Sequence, residues 1–269
     1  MKTFETVVRK GVKSVALAAG GFRRARPGDL SILVYHRVGE GDGEIAMPTR
    51  LFERHLSWLE RRADVVTLDT ALSRARGGVV LTFDDGYQDF HDVVVPMLVR
   101  HRMPALLYLA TGLVSNTGRD RLRWPDLRDA ISTGLVEIGA HTHGHVDLSR
   151  AGEREAADEM RRSKELIEDE LGAPCRHFAY PWAVGSPAAD RVARRLFATA
   201  ALDAWRLNRR GSIDPHRLGR APVLRSDGSL FFRAKVRGRL DGEAVAYRLL
   251  RRGPWKPDAV AGAVQARTP

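Results

Sequence analysis

Residues 78–86 read Gly78-Val79-Val80-Leu81-Thr82-Phe83-Asp84-Asp85-Gly86, and their reading decides the fold. Gly78–Phe83 is a continuous apolar run, the pattern of a strand covered on both faces. Two adjacent carboxylates close it, with a glycine turn behind them. Like charges this close repel, and one pKa rises unless a cation stands nearby. An Asp-Asp-Gly turn on a surface has the same sequence, so the segment gains meaning only from its neighbours.

Outward from it, comparable runs recur at Ser31–His36, Val65–Leu68, Ala105–Ala110, Val136–Ala140, Arg176–Tyr180 and Ala198–Leu202. Helical segments lie between them. Leu51, Phe52, His55, Leu56 and Leu59 share one face at 3.6-residue spacing, as do Ala156, Met160, Ser163, Ile167 and Leu171 before the stop at Gly172. Trp124-Pro125-Asp126 starts another helix, which Gly134 ends. This alternation predicts an α/β chain, either a parallel barrel or an open doubly wound sheet. Both folds put chemistry at the C-terminal ends of the strands.

Two further strand ends are rich in chemistry. His141-Thr142-His143-Gly144-His145 follows Val136–Ala140 and holds three of the nine histidines. If the segment leaves its strand as a turn, His141 and His145 can converge, and two neutral imidazoles with a carboxylate make a three-ligand metal site. A polar loop with satisfied histidines is the plainer alternative. Arg176-His177-Phe178-Ala179-Tyr180-Pro181-Trp182 runs a strand into aromatics whose apolar faces suit sugar rings; it also reads as an ordinary strand-ending turn.

In this order, Asp84-Asp85-Gly86, His141-Thr142-x-x-His145 and Phe178-Ala179-Tyr180-Pro181 resemble the motifs of the polysaccharide deacetylase family, the NodB-homology carbohydrate esterases of family 4 type. The resemblance runs roughly from Ser31 to Leu224. It implies a distorted parallel (β/α) barrel with about seven strands. It also implies a divalent metal, zinc in most members, held by Asp85, His141 and His145. Asp84 would be the general base that activates the water on the metal. The substrate would be an N-acetylated amino sugar in a glycan or glycan precursor, and the products acetate and a free amine. Tyr180, Pro181, Trp182 and Arg176 would contact it, with a main-chain N–H near Tyr180–Trp182 facing the oxyanion.

The sequence departs from the family at two places. Many members read Arg-Pro-Pro-Tyr-Gly at the third motif, and here Ala179 stands in the arginine slot. The residue that orients Asp84 must come from elsewhere, and Arg176 and Arg220 are the candidates. The late Leu-x-His that supplies a general acid has no counterpart; Leu218-Gly219-Arg220 stands in its region. His36, at a strand end, is the preferred substitute, with His216 as a second candidate. The expected catalytic set is therefore Asp84, His36 and Arg220.

Composition bounds the rest. With 269 residues, 43% hydrophobic and 29% charged in mixed sign, the chain can bury a full core. A single cysteine, Cys175, excludes an intramolecular disulfide and a zinc site built on several thiolates. No run approaches the roughly 18 apolar residues of a membrane-spanning helix. The net charge is +11, and only six of 44 basic residues are lysines. Such a balance favours an anionic partner, and no recognisable nucleic-acid motif accompanies it, so no nucleic acid is expected. Residues 1–28 read as a basic, uncleaved lead-in, 29–225 as the deacetylase-like domain and 226–269 as a basic extension. The extension reads either as a basic surface helix or as a helix that packs to close the barrel. The lead-in points to the cytoplasm, with peripheral contact to an anionic membrane. Two other functions fit the same motifs: hydrolysis of a non-sugar amide, and a catalytically silent glycan or anionic-surface binder.

Overall fold

Seven segments align as parallel neighbours and close on themselves in chain order: β1 (Leu30–Tyr35), β2 (Gly78–Asp84), β3 (Ala105–Leu109), β4 (Val136–Ala140), β5 (His177–Ala179), β6 (Thr199–Ala204) and β7 (Leu218–Pro222). In the computed structural model the described residues are 26, 28–39, 41–73, 77–115, 120–204 and 206–239. The lead-in through residue 25, and the extension from residue 240, lie outside them. The distorted (β/α) barrel expected from the sequence is the architecture found.

One expected strand is not a strand, and one strand was missed. Val65 makes only an isolated bridge to Val79, and Leu68 already begins a helix. The seventh place belongs to β7, which pairs with Leu33 and Val34 of β1 and closes the ring. Its sequence, Leu218-Gly219-Arg220-Ala221-Pro222, carries a charged residue at mid-strand and so hides from an apolar-run criterion.

Helices α1 (Thr49–Arg62), α2 (Leu68–Ser73), α3 (Val95–His101), α4 (Trp124–Ser132), α5 (Glu153–Leu171), α6 (Pro187–Leu196) and α7 (Gly228–Val236) accompany the barrel. The predicted stripe of α1, Leu51, Phe52, His55, Leu56 and Leu59, is buried as one face. On α5, Ala156, Met160, Ser163 and Ile167 are buried in the same way.

Strand periodicity of two divides the core into two layers. Leu33, Tyr35, Leu81, Phe83, Leu107 and Ile138 pack outward against helices. Ile32, Val80, Leu106, Tyr108, Ala179, Ala201 and Leu218 form the barrel interior. Leu68 and Ala71 of α2 belong to this inner cluster, so α2 floors the barrel at the N-terminal strand ends. The interior is crowded at Gly139, where an added Cβ would lie 2.8 Å from both the His177 carbonyl oxygen and the Tyr108 ring. Gly139→Ala is therefore expected to cost about 1–3 kcal/mol, read as a lower denaturation midpoint; an unchanged midpoint would show that the wall relaxes there at no cost.

Helix α7 takes the packing role. Phe232 stacks on His55 at 3.7 Å between ring centroids. The buried Lys235 ammonium donates to Asp227 Oδ2 at 2.8 Å and to the Pro222 carbonyl at 2.6 Å. Among the described residues no helix is long and apolar enough to cross a membrane.

Candidate active site

The inward positions of β2 and β7 bring an aspartate and an arginine together. Val80 and Leu218 face the interior, and two-residue periodicity carries Asp84 and Arg220 to the same side at the C-terminal mouth. Arg220 Nη1 donates to Asp84 Oδ1 at 2.6 Å and Nη2 to Oδ2 at 2.8 Å, a bidentate pair. Both groups are buried, and the guanidinium lies 5.1 Å from the centroid of the Tyr108 ring. Burial pushes the Asp84 carboxyl up, but the Arg220 charge and its hydrogen bonds outweigh it and hold the carboxyl below its ordinary range. Of the two arginines considered for orienting Asp84, Arg220 is the one in contact.

Asp85 reaches its place through unusual backbone. Its φ is 75° and that of Gly86 is 80°, so the chain turns through two left-handed residues directly after the strand. The left-handed φ of Gly86 favours glycine there, and an added Cβ would also fall 2.5 Å from Leu109 Cδ1. The Asp85 N–H donates to the Tyr108 carbonyl at 3.0 Å, and Arg121 Nη1 donates to the Asp85 carbonyl at 3.2 Å. Non-glycine residues in this region cost energy, and such strain gathers at functional sites.

The histidine segment is a second strained turn, with Thr142 at φ 60° and His145 at φ 53°. Thr142 Oγ1 accepts from Val146 N–H at 3.2 Å, and Gly144 N–H donates to Glu159 Oε2 at 2.7 Å. The turn brings the His141 and His145 rings to 5.1 Å. His141 Nδ1 sits 2.7 Å from the Ala179 carbonyl, which can only accept, so the proton is on Nδ1 and the Nε2 lone pair is free to bind. Burial lowers the His141 pKa to about 4, keeping the ring neutral. His143 is turned away, with Nδ1 2.9 Å from Thr111 Oγ1.

Three donor atoms converge as a result. Asp85 Oδ1 lies 3.5 Å from His141 Nε2 and 3.2 Å from His145 Nε2. One ligand atom from each residue lies within 4.8 Å of the others. Asp85 Oδ1 is buried and has no hydrogen-bond partner among the described residues. Leaving such an oxygen unsatisfied is costly, and a cation would satisfy it. One carboxylate oxygen and two neutral imidazole nitrogens suit a first-row divalent ion such as zinc. The set therefore fits the metal that the sequence implied.

The remaining expected site residues divide. His36 directly follows β1 at this mouth and is half-buried. Trp182 is half-buried at φ 54°, its ring 4.5 Å from that of His145. Pro181 is buried beside it. Tyr180 is corrected: because Ala179 faces inward, Tyr180 faces outward, fully buried and edge-on to Phe178 at 4.8 Å. Its side chain does not line the mouth. Arg176 is also corrected. It precedes β5, so it stands at the opposite end of the barrel, where Nη2 lies 3.5 Å from Asp69 Oδ2. His216 Nε2 donates to the Phe197 carbonyl at 2.9 Å and acts as a loop tie.

The sequence reading missed a rim beside Asp85. Tyr87 is flanked by two guanidinium groups, with Arg37 4.7 Å and Arg121 4.0 Å from its ring centroid. Arg37 Nε donates to Asp89 Oδ2 at 3.0 Å, and Nη2 lies 2.8 Å from Asp120. Burial and the Asp85 charge push the Tyr87 phenol up to about 12. The only sequence signal was its place just behind Asp-Asp-Gly.

Comparison with known proteins finds polysaccharide deacetylases. Residues 73–201 match the family model described as polysaccharide deacetylase. The chain is 25% identical to YxkH of Bacillus subtilis (strain 168) over 166 residues, 58% of this chain and 57% of that protein. It is also 25% identical to the poly-beta-1,6-N-acetyl-D-glucosamine N-deacetylase of Staphylococcus aureus (strain MRSA252), over 49% of this chain and 51% of that protein. It thus spans about half the length of the curated relatives it matches. In fold, it is similar to the Streptococcus pyogenes deacetylase PplD, solved in complex with acetate. That match has a TM-score of 0.71 at 20% identity and covers 78% of this chain and 99% of the other. IcaB from Ammonifex degensii matches with a TM-score of 0.69 at 25% identity, covering 80% and 98%. On sequence over residues 73–201, and in fold, the chain is similar to polysaccharide deacetylases.

Proposed function

We propose that the protein is a metal-dependent deacetylase that hydrolyses the N-acetyl group of an amino sugar in a glycan or glycan precursor. The observation that carries this reading is the convergence of Asp85, His141 and His145 on one point beside the Arg220-held Asp84. The relative named as a poly-beta-1,6-N-acetyl-D-glucosamine N-deacetylase supports the substrate class.

Asp85, His141 and His145 would hold a divalent cation, zinc by donor type, which supplies a Lewis acid for the acetyl carbonyl and for water. Asp84 takes a proton from the attacking water. Its two oxygens already accept from Arg220, but each has a second lone pair, so the clamp fixes the carboxylate plane without using up its basicity. A C–O bond forms at the acetyl carbon. The Tyr180 N–H is used by the Ala201 carbonyl, Pro181 has no N–H and the Ala183 N–H is used by the Tyr180 carbonyl. Within this turn, the Trp182 N–H is therefore the donor assigned to the developing oxyanion. His36 in its protonated form delivers the proton to the sugar nitrogen as the C–N bond breaks. Acetate and a free amine leave, while the Trp182 ring offers an apolar face to the sugar.

The test is to incubate zinc-loaded protein with β-1,6- and β-1,4-linked N-acetylglucosamine oligomers, a nucleotide-linked N-acetyl sugar and simple acetanilides, measuring acetate and new amine. Equal release of both from a sugar is the expected result. Release from the acetanilides alone would move the activity to non-sugar amides, and release from none would leave a silent binder.

A further inference from the structure

The same periodicity that builds the upper site gathers a second donor set at the floor of the barrel. Val136, Ile138, Phe178 and Ala200 face the outer core, so Glu137, His177 and Thr199 face inward at the N-terminal ends of β4, β5 and β6. Below them, the floor helix α2 contributes Asp69. His177 is 1% exposed, and its Nδ1 lies 2.9 Å from Thr199 Oγ1. Its Nε2 is buried and has no hydrogen-bond partner among the described residues. That nitrogen lies 3.8 Å from Asp69 Oδ1 and 3.9 Å from Glu137 Oε1. These separations are too long for hydrogen bonds. Two donors each about 2.1 Å from a tetrahedral zinc stand about 3.4 Å apart, so a shared ion needs only a small contraction. Donor atoms of all three residues already lie within 4.8 Å of one another.

We infer that Asp69, Glu137 and His177 form a second divalent-cation site, separate from the proposed catalytic one and at the opposite mouth of the barrel. Two carboxylates and an imidazole suit zinc or manganese. Arg176, 3.5 Å from Asp69 Oδ2, engages the far oxygen and leaves Oδ1 toward His177. The Asp69 and Glu137 side chains are 45% and 43% exposed, so an ion reaches the site from solvent. Bound there, it ties the floor helix to two wall strands, and its effect is on stability.

The experiment uses the full chain carrying His141→Ala and His145→Ala, which removes the upper ligands. The protein is stripped with chelator, dialysed against micromolar zinc and analysed for metal. One zinc per chain and a rise in Tm of about 5 °C over the stripped form are expected. Adding Asp69→Asn and Glu137→Gln, both half-exposed and near-isosteric, should remove the ion and the rise together. If that variant does not fold by circular dichroism, Asp69→Asn alone in the same background should weaken zinc binding about tenfold. No zinc in the upper-site variant, or zinc held equally after the carboxylates are neutralised, overturns the inference. Neither outcome depends on what the upper site catalyses.

Discussion

Asp84→Asn is expected to lower kcat/KM for acetate release by about 10³-fold while zinc at the upper site is retained. The substitution is near-isosteric and removes the ability to take a proton. Asp84 is not among the three converging residues, so the proposed cation site keeps Asp85, His141 and His145. The variant also breaks a buried ion pair whose partner, Arg220, is 5% exposed. Removing one member of such a pair costs about 3–5 kcal/mol in stability. The rate must therefore be measured on protein shown to be folded, well below its melting temperature. A folded variant with wild-type kcat/KM would remove Asp84 from the chemistry. A variant that loses zinc as well would make Asp84 a ligand instead of a base.

His141→Ala is expected to abolish acetate release, a loss of more than about 10³-fold, and to release the upper zinc. His141 is the most buried of the three proposed ligands. Its Nδ1–H is fixed on the Ala179 carbonyl, and it is 2% exposed. Its low pKa, about 4, keeps Nε2 available across the neutral range. Without it, only Asp85 and His145 remain, fewer than the three protein ligands of a catalytic zinc site. Activity is the primary readout here, because an ion on the barrel floor would survive this substitution in a bulk metal analysis. Wild-type acetate release by the alanine variant would show that the hydrolysis does not pass through this site.

Much of this was legible in the sequence, for local reasons. The apolar runs ending at Asp84 and Ala140 are strands, and the chemistry follows each within a few residues, so motif and strand end were read together. Arg220 was legible only as a candidate, because its contact with Asp84 crosses 136 residues and depends on β7 closing the ring. The strand itself was hidden by its polar content. Tyr180 was misread because its facing depends on the phase of a three-residue strand, which places Ala179 inward and the tyrosine outward. Arg176 was misread because the wrong end of the same strand was assigned to it. The floor cluster joins residues 69, 137 and 177 through barrel closure alone, and no local spacing marks it. The Arg37–Tyr87–Arg121 rim is equally nonlocal, a product of the segments after β1, β2 and β3 meeting beside Asp85.

The most direct test of the central claim is to crystallise the zinc-loaded protein and measure anomalous scattering at the zinc absorption edge. The account predicts a peak about 2.0–2.2 Å from an Asp85 carboxylate oxygen and from Nε2 of both His141 and His145. Zinc-loaded crystals without a peak between those three residues would contradict it.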